Sequence, residues 1–199
     1  MMSEDQFRGL IDEARFATKT FKEIPEWLEQ RLIELPANDI LDFSAWLATF
    51  AGRSYDAKLW AAASIIHHGL SYDGFFGFQG WLIAQGKVIY ENTVVNPDSL
   101  ADLEFAENDV YGPITSLEKL FYTYFQAYNK KFGRPSHTTV ELPPGYQNPS
   151  RSQPSPPAGT TMKAIHEQVD RELTIWLSDQ AKLEAAFPKL VQRFKLPKF

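Results

Sequence analysis

Apolar side chains recur every three to four residues along most of the first 132 residues, which is the periodicity of amphipathic helices. The first apolar stripe is preceded by Ser3 and Gln6, which fit a capping box at a helix start. The second stripe follows Pro25, which suits a first helical turn, and stops at Pro36. A third stripe follows at once and can end at Gly52. The pattern therefore predicts three amphipathic helices before residue 53.

Three glycines at a spacing of three, Gly74, Gly77 and Gly80, follow an alanine-rich helical segment. Their spacing lacks both the G-x-G of dinucleotide-binding loops and the G-K-S/T end of a Walker loop, so we expect no nucleotide site. On a helix they lie near one another, and each interior glycine costs about 0.5 to 1 kcal/mol relative to alanine. We therefore expect close packing of the alanine-rich helix on this face. Glycines that admit a ligand or bend the helix are the alternative.

The remainder of the chain divides by composition. An aromatic helical segment ends at Gly133, and residues 133 to 160 then hold seven of the thirteen prolines, which favours a linker or a loop laid over the surface. Residues 161 to 199 carry two further apolar stripes, the second interrupted by Pro188, and must dock on the main domain or on another chain. We predict an all-α protein with a compact multi-helix domain (residues 1 to 132), this proline-rich linker and a C-terminal helical extension.

The amino-acid composition excludes several classes of protein. With 44% hydrophobic and 23% charged residues the chain resembles ordinary soluble proteins, and the absence of cysteine excludes disulfides and thiolate zinc sites. A net charge of −5 disfavours nucleic acid as a partner. The acidic N-terminus is unlike a secretory signal, and no apolar run approaches about 20 residues, so we expect a cytoplasmic protein without membrane spans.

An acidic run follows the glycine stretch and contains no basic residue. Such a run is typical of a solvated face, but it also fits a surface that attracts a basic protein partner. Aromatic side chains at Trp81 and Tyr72 could add contacts to a binding surface. The acidic candidates for binding are Asp98, Asp102, Glu104, Glu107 and Asp109.

Candidates for catalysis lie between the alanine-rich helix and the glycine stretch: His67, His68, Ser71 and Asp73. Adjacent histidines on a helix diverge by about 100°, and the H-x-x-x-H spacing of metal sites is absent, so we predict no metal site and no cofactor. Ser71 and Asp73 suit the cap and first turn of a helix better than catalysis.

The run "LWAAASIIHHGLSYDGFFGFQGWLIAQGKVIYENTVVNPDSLAD" resembles the bacterial family known as domain of unknown function 4240. The resemblance covers roughly residues 4 to 132. The chain departs from the family pattern at Leu70, Tyr72 and Gln79, where the family more often has Cys, Asp and Arg. The resemblance implies membership of a family without an established activity. The matching positions are Leu59 to Ala63, Gly69, Ser71, Asp73 to Phe75, Phe78, Trp81 to Ile83, Gly86 and Pro97 to Ala101.

These observations favour a non-enzymatic cytoplasmic protein that binds another protein, as a regulator, an adaptor or the inhibitor of a toxin. The alternative is a small hydrolase or ligand-binding enzyme that uses residues 67 to 73. A homodimer whose C-terminal helices pair across a two-fold axis is a third hypothesis.

Overall fold

The computed structural model describes residues 1–105, 117–153 and 160–196. Within these ranges the chain forms α-helices and short 3-10 helices, without strands, which confirms the predicted all-α class. The α-helices are α1 (Glu4–Ala17), α2 (Ile24–Glu34), α3 (Ala37–Arg53), α4 (Ala57–His67), α5 (Tyr72–Ala84), α6 (Lys87–Val95), α7 (Thr123–Lys131), α8 (Met162–Leu177), α9 (Gln180–Ala186) and α10 (Pro188–Phe194). The 3-10 helices are Phe21–Glu23, Pro97–Asp102 and Leu117–Tyr122.

The start of α1 is the capping box that the sequence predicts. The backbone N–H of Gln6 donates to Oγ of Ser3 at 3.2 Å, and the backbone N–H of Ser3 donates to Oε1 of Gln6 at 2.8 Å. Two backbone donors that a helix leaves unpaired are thereby satisfied. This cap fixes the register in which α1 presents Phe7 and Ile11 to the core.

The core is built on aromatic side chains that pack together from five helices. Phe7 of α1 lies with its ring centroid 5.0 Å from that of Phe43 and 5.3 Å from that of Phe50, both on α3. Tyr90 of α6 meets Phe50 edge-on at 5.2 Å. Trp60 of α4 stacks on Phe75 of α5 at 4.5 Å. Helix α4 is buried almost all round, as its small side chains predict.

Close packing at the glycines involves a different partner from the one expected. A Cβ added to Gly80 would lie 2.5 Å from the carbonyl oxygen of Leu117, in the 3-10 helix Leu117–Tyr122. The ring of Phe121 in this 3-10 helix stacks on Phe76 at 4.1 Å. The expectation that α4 packs on this face is therefore wrong at Gly80, because the backbone of the 3-10 helix occupies the space.

The proline-rich segment follows the surface of the helical domain in its described part, residues 133–153. Asn129 donates from Nδ2 to the carbonyl oxygen of Thr138 at 2.8 Å, and the hydroxyls of Thr49 and Ser150 lie 2.8 Å apart. These hydrogen bonds attach both ends of the described segment to α7 and α3.

The C-terminal helices dock on the same chain. Helix α8 packs along α4, and α10 lies against α4 and the 3-10 helix Pro97–Asp102. Pro188 occupies the first turn of α10, so the second predicted stripe is divided into α9 and α10 as the proline indicates. None of the helices in the described ranges is long and apolar enough to cross a lipid bilayer.

Candidate functional site

Polar side chains at the starts of α4 and α5 act as helix caps. Oγ of Ser71 accepts a hydrogen bond from the backbone N–H of Gly74 at 3.1 Å, and Oδ1 of Asp56 accepts one from the backbone N–H of Leu59 at 3.0 Å. Each contact satisfies a backbone donor at the start of a helix. Ser71 therefore has a structural role at the position that the enzyme hypothesis assigns to a nucleophile.

The histidines at the end of α4 occupy different environments. His67 is 8% exposed, with its ring centroid 6.5 Å from that of Phe78. His68 is exposed and has a φ of 54°, in the left-handed region, where it ends α4. Asp73 is exposed in the first turn of α5. No group of three or more His, Asp or Glu side chains in the described ranges is arranged to hold a metal ion.

An aromatic cluster forms where α8 docks. The ring centroid of His166 lies 5.2 Å from that of Tyr55 and 5.6 Å from that of Tyr72. Helical spacing could have indicated His166, because it lies four residues after Met162 and three before Val169 on the apolar face of α8. The sequence alone does not show which residues His166 meets, because its ring partners lie more than 90 positions earlier in the chain.

Tyr55 lies in the interior of this cluster. Its hydroxyl is buried and has no hydrogen-bond partner within the described part of the chain. Burial raises the pKa of Tyr55 to about 12, and the neighbouring Tyr72 and Asp170 add to the shift. This hydroxyl therefore stays neutral at physiological pH.

The acidic run is partly occupied by α10 of the same chain. Asp98 is buried, and its carboxylate accepts hydrogen bonds from the backbone N–H groups of Lys189 and Leu190 at 3.2 and 3.0 Å. The ammonium of Lys189 lies 2.8 Å from Oδ2 of Asp102, which raises the pKa of Lys189. Arg193 donates from one nitrogen to the carbonyl oxygens of residues 101 and 103. Asp98 and Asp102 thus bind a basic helix within the chain.

The other predicted binding residues differ in exposure. Trp81 is 3% exposed and packs between Phe78 and Phe105, which corrects the expectation that its ring offers a contact surface. Tyr72 and Glu104 are exposed. Glu107 and Asp109 lie outside the described residues.

A surface cleft of about 400 Å³ opens between the end of α1 and the length of α2. The sequence pattern alone does not predict this cleft. The available signal was the spacing of Glu23, Glu26, Gln30 and Glu34, which places four polar side chains on one face of α2. The residues that line the cleft are Ala17, Thr18, Glu23, Glu26, Trp27, Gln30, Arg31 and Glu34.

The carboxylates of the cleft outnumber its cationic groups. The guanidinium of Arg31 lies 3.1 Å from Glu34 and 3.7 Å from Glu13 on the rim, so its charge is already compensated. Glu23 accepts hydrogen bonds from the backbone N–H of Lys19 and the hydroxyl of Thr20, which lower the pKa of its carboxyl. Glu26 makes no ion pair with any residue that the structure describes. Glu26 and the excess of glutamates around Arg31 therefore leave a negative surplus, whereas the charge of Lys19 compensates Glu23 in part.

Aromatic side chains accompany this negative surplus. Trp27 lines the cleft and is half-buried against the core. Phe16 on α1 is 88% exposed. It lies in the last turn of α1, immediately before Ala17, which lines the cleft. The cleft thus combines the ring of Trp27 with carboxylates that outnumber its one guanidinium.

The family model described as "Protein of unknown function (DUF4240)" matches residues 2–130. The chain belongs to this family. The match includes both helices of the cleft, whereas α8, α9 and α10 lie beyond it. No curated protein and no solved structure matches the chain.

Helix α8 contacts Tyr72, one of the positions where the chain departs from the pattern of the family that it resembles. Tyr72 stands where the resemblance leads us to expect an aspartate, and its ring contacts His166 of α8. Because α8 lies beyond the family match, this tyrosine connects the family domain to the extension of this chain. A carboxylate at position 72 would not supply the ring contact.

Proposed function

We propose that this protein is a non-enzymatic cytoplasmic protein that acts by binding another protein, as a regulator, an adaptor or the inhibitor of a toxin. The observation that carries the proposal is the exposure of Phe16, 88%, in the last turn of α1. Aromatic rings are enriched in protein interfaces because burying them removes apolar area from water, at about 25 cal/mol per Å². A partner that covers Phe16 would gain this free energy.

The alternative function, a small hydrolase or ligand-binding enzyme at residues 67 to 73, has weaker support. Ser71 is engaged as a helix cap, and His68 ends α4 in the left-handed conformation. A serine nucleophile needs a base within hydrogen-bond reach and a third group that orients the base. The capping geometry accounts for Ser71 without such a role.

The test is affinity capture of the tagged full-length protein from its native cells, followed by mass spectrometry and reconstitution of any complex from purified components. Phe16→Ala is the test variant, and Val95→Ala is the matched control, since Val95 is a similarly exposed apolar residue on α6 outside the cleft lining. We expect a stoichiometric complex that Phe16→Ala weakens and Val95→Ala leaves intact.

Two results would contradict this proposal. If the purified protein forms no complex with any captured protein, the proposal that it acts by binding another protein is rejected. If the complex forms equally well with both variants, Phe16 is not part of the interface. Light scattering on the same samples reports whether the captured partner is a second copy of this chain.

A further inference from the structure

We infer that the cleft between α1 and α2 receives a basic helical segment of the protein partner, with an arginine side chain seated over Trp27. The inference rests on the proposed function, because it assumes that the partner is a protein. It adds the chemistry of the segment that is recognised.

The charge of the cleft favours a positively charged partner segment. Among the residues that line the cleft, three carboxylates accompany one guanidinium, and that guanidinium is already paired with Glu34 and Glu13. Glu23 and Glu26 make no ion pair within the described residues and remain for an incoming cation, although the charge of Lys19 compensates Glu23 in part. Complementary charge raises the rate of association and excludes acidic partners.

The combination of ring and carboxylates favours arginine over lysine. A guanidinium can stack on an aromatic face while it pairs with two carboxylates, which a compact ammonium cannot do as well. The chain already contains such an arrangement at Arg8, whose guanidinium lies 4.5 Å from the ring centroid of Phe50 and 2.8 Å from Glu91. Trp27 with Glu23 and Glu26 offers the same groups on the surface.

The length of the cleft matches a short helix rather than a single small cation. Its lining extends from Glu23 to Glu34, which spans about 16 Å along the axis of α2, or three helical turns. The same chain binds a basic helix on an acidic surface at α10, where Lys189 pairs with Asp102 and Arg193 donates to two backbone carbonyls. A partner helix with basic residues one turn apart would reach Glu23 and Glu26 together.

The experiment measures fluorescence anisotropy of a labelled, helix-forming 16-residue peptide titrated with the full-length protein. The peptide carries arginines at positions i, i+4 and i+7 with leucines between them. Two matched peptides replace every arginine with lysine or with glutamate. The test protein is the double variant Glu23→Gln, Glu26→Gln, and the control is Glu141→Gln, an exposed carboxylate on the proline-rich segment outside the cleft lining.

We expect saturable binding of the arginine peptide, about threefold or more tighter than that of the lysine peptide, and none of the glutamate peptide. The double variant weakens binding by about fivefold or more, and raising the salt concentration weakens it further. Glu141→Gln leaves binding unchanged. Circular dichroism of the variants, whose changes are isosteric and exposed, confirms that they remain folded.

Several results would overturn the inference. They are the absence of saturable binding to the arginine peptide, and equal binding by the double variant and Glu141→Gln. Competition by free arginine amide at concentrations similar to those of the peptide would show a site for a small cation instead. A dimer that the double variant dissolves would identify a second copy of the chain as the occupant. If the capture experiment yields a complex while the peptide does not bind, the proposed function is retained and the inference that the cleft receives a basic helix is rejected.

Discussion

The backbone N–H of Leu190 donates a hydrogen bond of 3.0 Å to Oδ1 of Asp98, a residue that lies 92 positions earlier in the chain. The other oxygen of the same carboxylate accepts from the backbone N–H of Lys189 at 3.2 Å. Asp98 lies within the family domain, and α10 lies beyond the family match. A carboxylate of the family domain thus caps a helix of the C-terminal extension, and this cap fixes where the extension docks.

Replacing Asp98 with alanine should release the start of α10. We expect Asp98→Ala to lower the free energy of unfolding by about 1 to 2 kcal/mol, since it removes the acceptor for two backbone donors. Urea denaturation measures this loss, and hydrogen exchange should show faster exchange in α10. Asp102→Ala is the control, because its pair with Lys189 is exposed and contributes about 1 kcal/mol or less. Equal losses from the two variants would show that Asp98 does not act as a cap.

Replacing Gly80 and Gly9 with alanine should change the free energy of unfolding in opposite directions. A methyl group at Gly80 would meet the backbone of Leu117, so Gly80→Ala should destabilise the protein by about 1 to 3 kcal/mol. A methyl group at Gly9, within α1, meets no atom within 4 Å, so Gly9→Ala should stabilise by about 0.5 to 1 kcal/mol. Thermal unfolding of both variants gives the signs; a gain in stability from Gly80→Ala would contradict the packing at Gly80, and a loss from Gly9→Ala would contradict the open space at Gly9.

The sequence predicts elements whose causes are local. The capping box at Ser3 and the interruption at Pro188 both depend on residues within a few positions, and both are present in the structure. The partner of Gly80 depends instead on a segment 37 positions away, and spacing alone indicates a bare face without saying what covers it. The alanine-rich helix was the nearest neighbour in sequence, and that proximity misled the prediction.

The cleft between α1 and α2 also cannot be predicted from local sequence. The glutamates of α2 are visible in the sequence, but a polar face is what any surface helix carries. They become a cleft only because the end of α1 places Ala17 and Thr18 beside α2, which is a tertiary arrangement. His166 likewise meets Tyr55 only because α8 docks on the main domain.

Ser71 should tolerate any residue that can cap a helix. We expect Ser71→Ala to lower the free energy of unfolding by about 1 kcal/mol, and Ser71→Asn to leave it nearly unchanged, because the amide oxygen accepts the same hydrogen bond from Gly74. Urea denaturation of the two variants checks this order. If asparagine destabilises as much as alanine, the hydroxyl has a role that capping does not explain.

Removing the buried hydroxyl of Tyr90 and that of Tyr55 should have different effects on the free energy of unfolding. The hydroxyl of Tyr90 donates to the carbonyl oxygen of Phe50 at 2.6 Å, so Tyr90→Phe should cost about 1 kcal/mol at neutral pH. The hydroxyl of Tyr55 is buried without a partner in the described part of the chain, so Tyr55→Phe should be neutral or stabilising by up to about 1 kcal/mol. Urea denaturation at pH 7 compares the two, and an equal loss would indicate that Tyr55 has a hydrogen bond.

The pH dependence of the Tyr55→Phe variant provides a separate test of the buried environment. Burial raises the pKa of Tyr55 to about 12, whereas tyrosine in an unfolded chain titrates near 10. Between about pH 10 and 12 the unfolded chain therefore loses its proton first, and the free energy of unfolding falls as pH rises. Burial also raises the pKa of Tyr90 and Tyr146, so the wild-type slope has several contributors.

Tyr55→Phe removes one of these contributors and should flatten the slope. Urea denaturation at a series of pH values from about 8 to 11.5 should show the variant gaining stability relative to wild type as pH rises above about 10. Below that pH both forms of the wild-type chain keep the proton, and the difference between the two proteins should be constant. Curves that stay parallel up to pH 11.5 would mean that Tyr55 titrates alike in the folded and unfolded chains, and hence that α8 does not shield it from water.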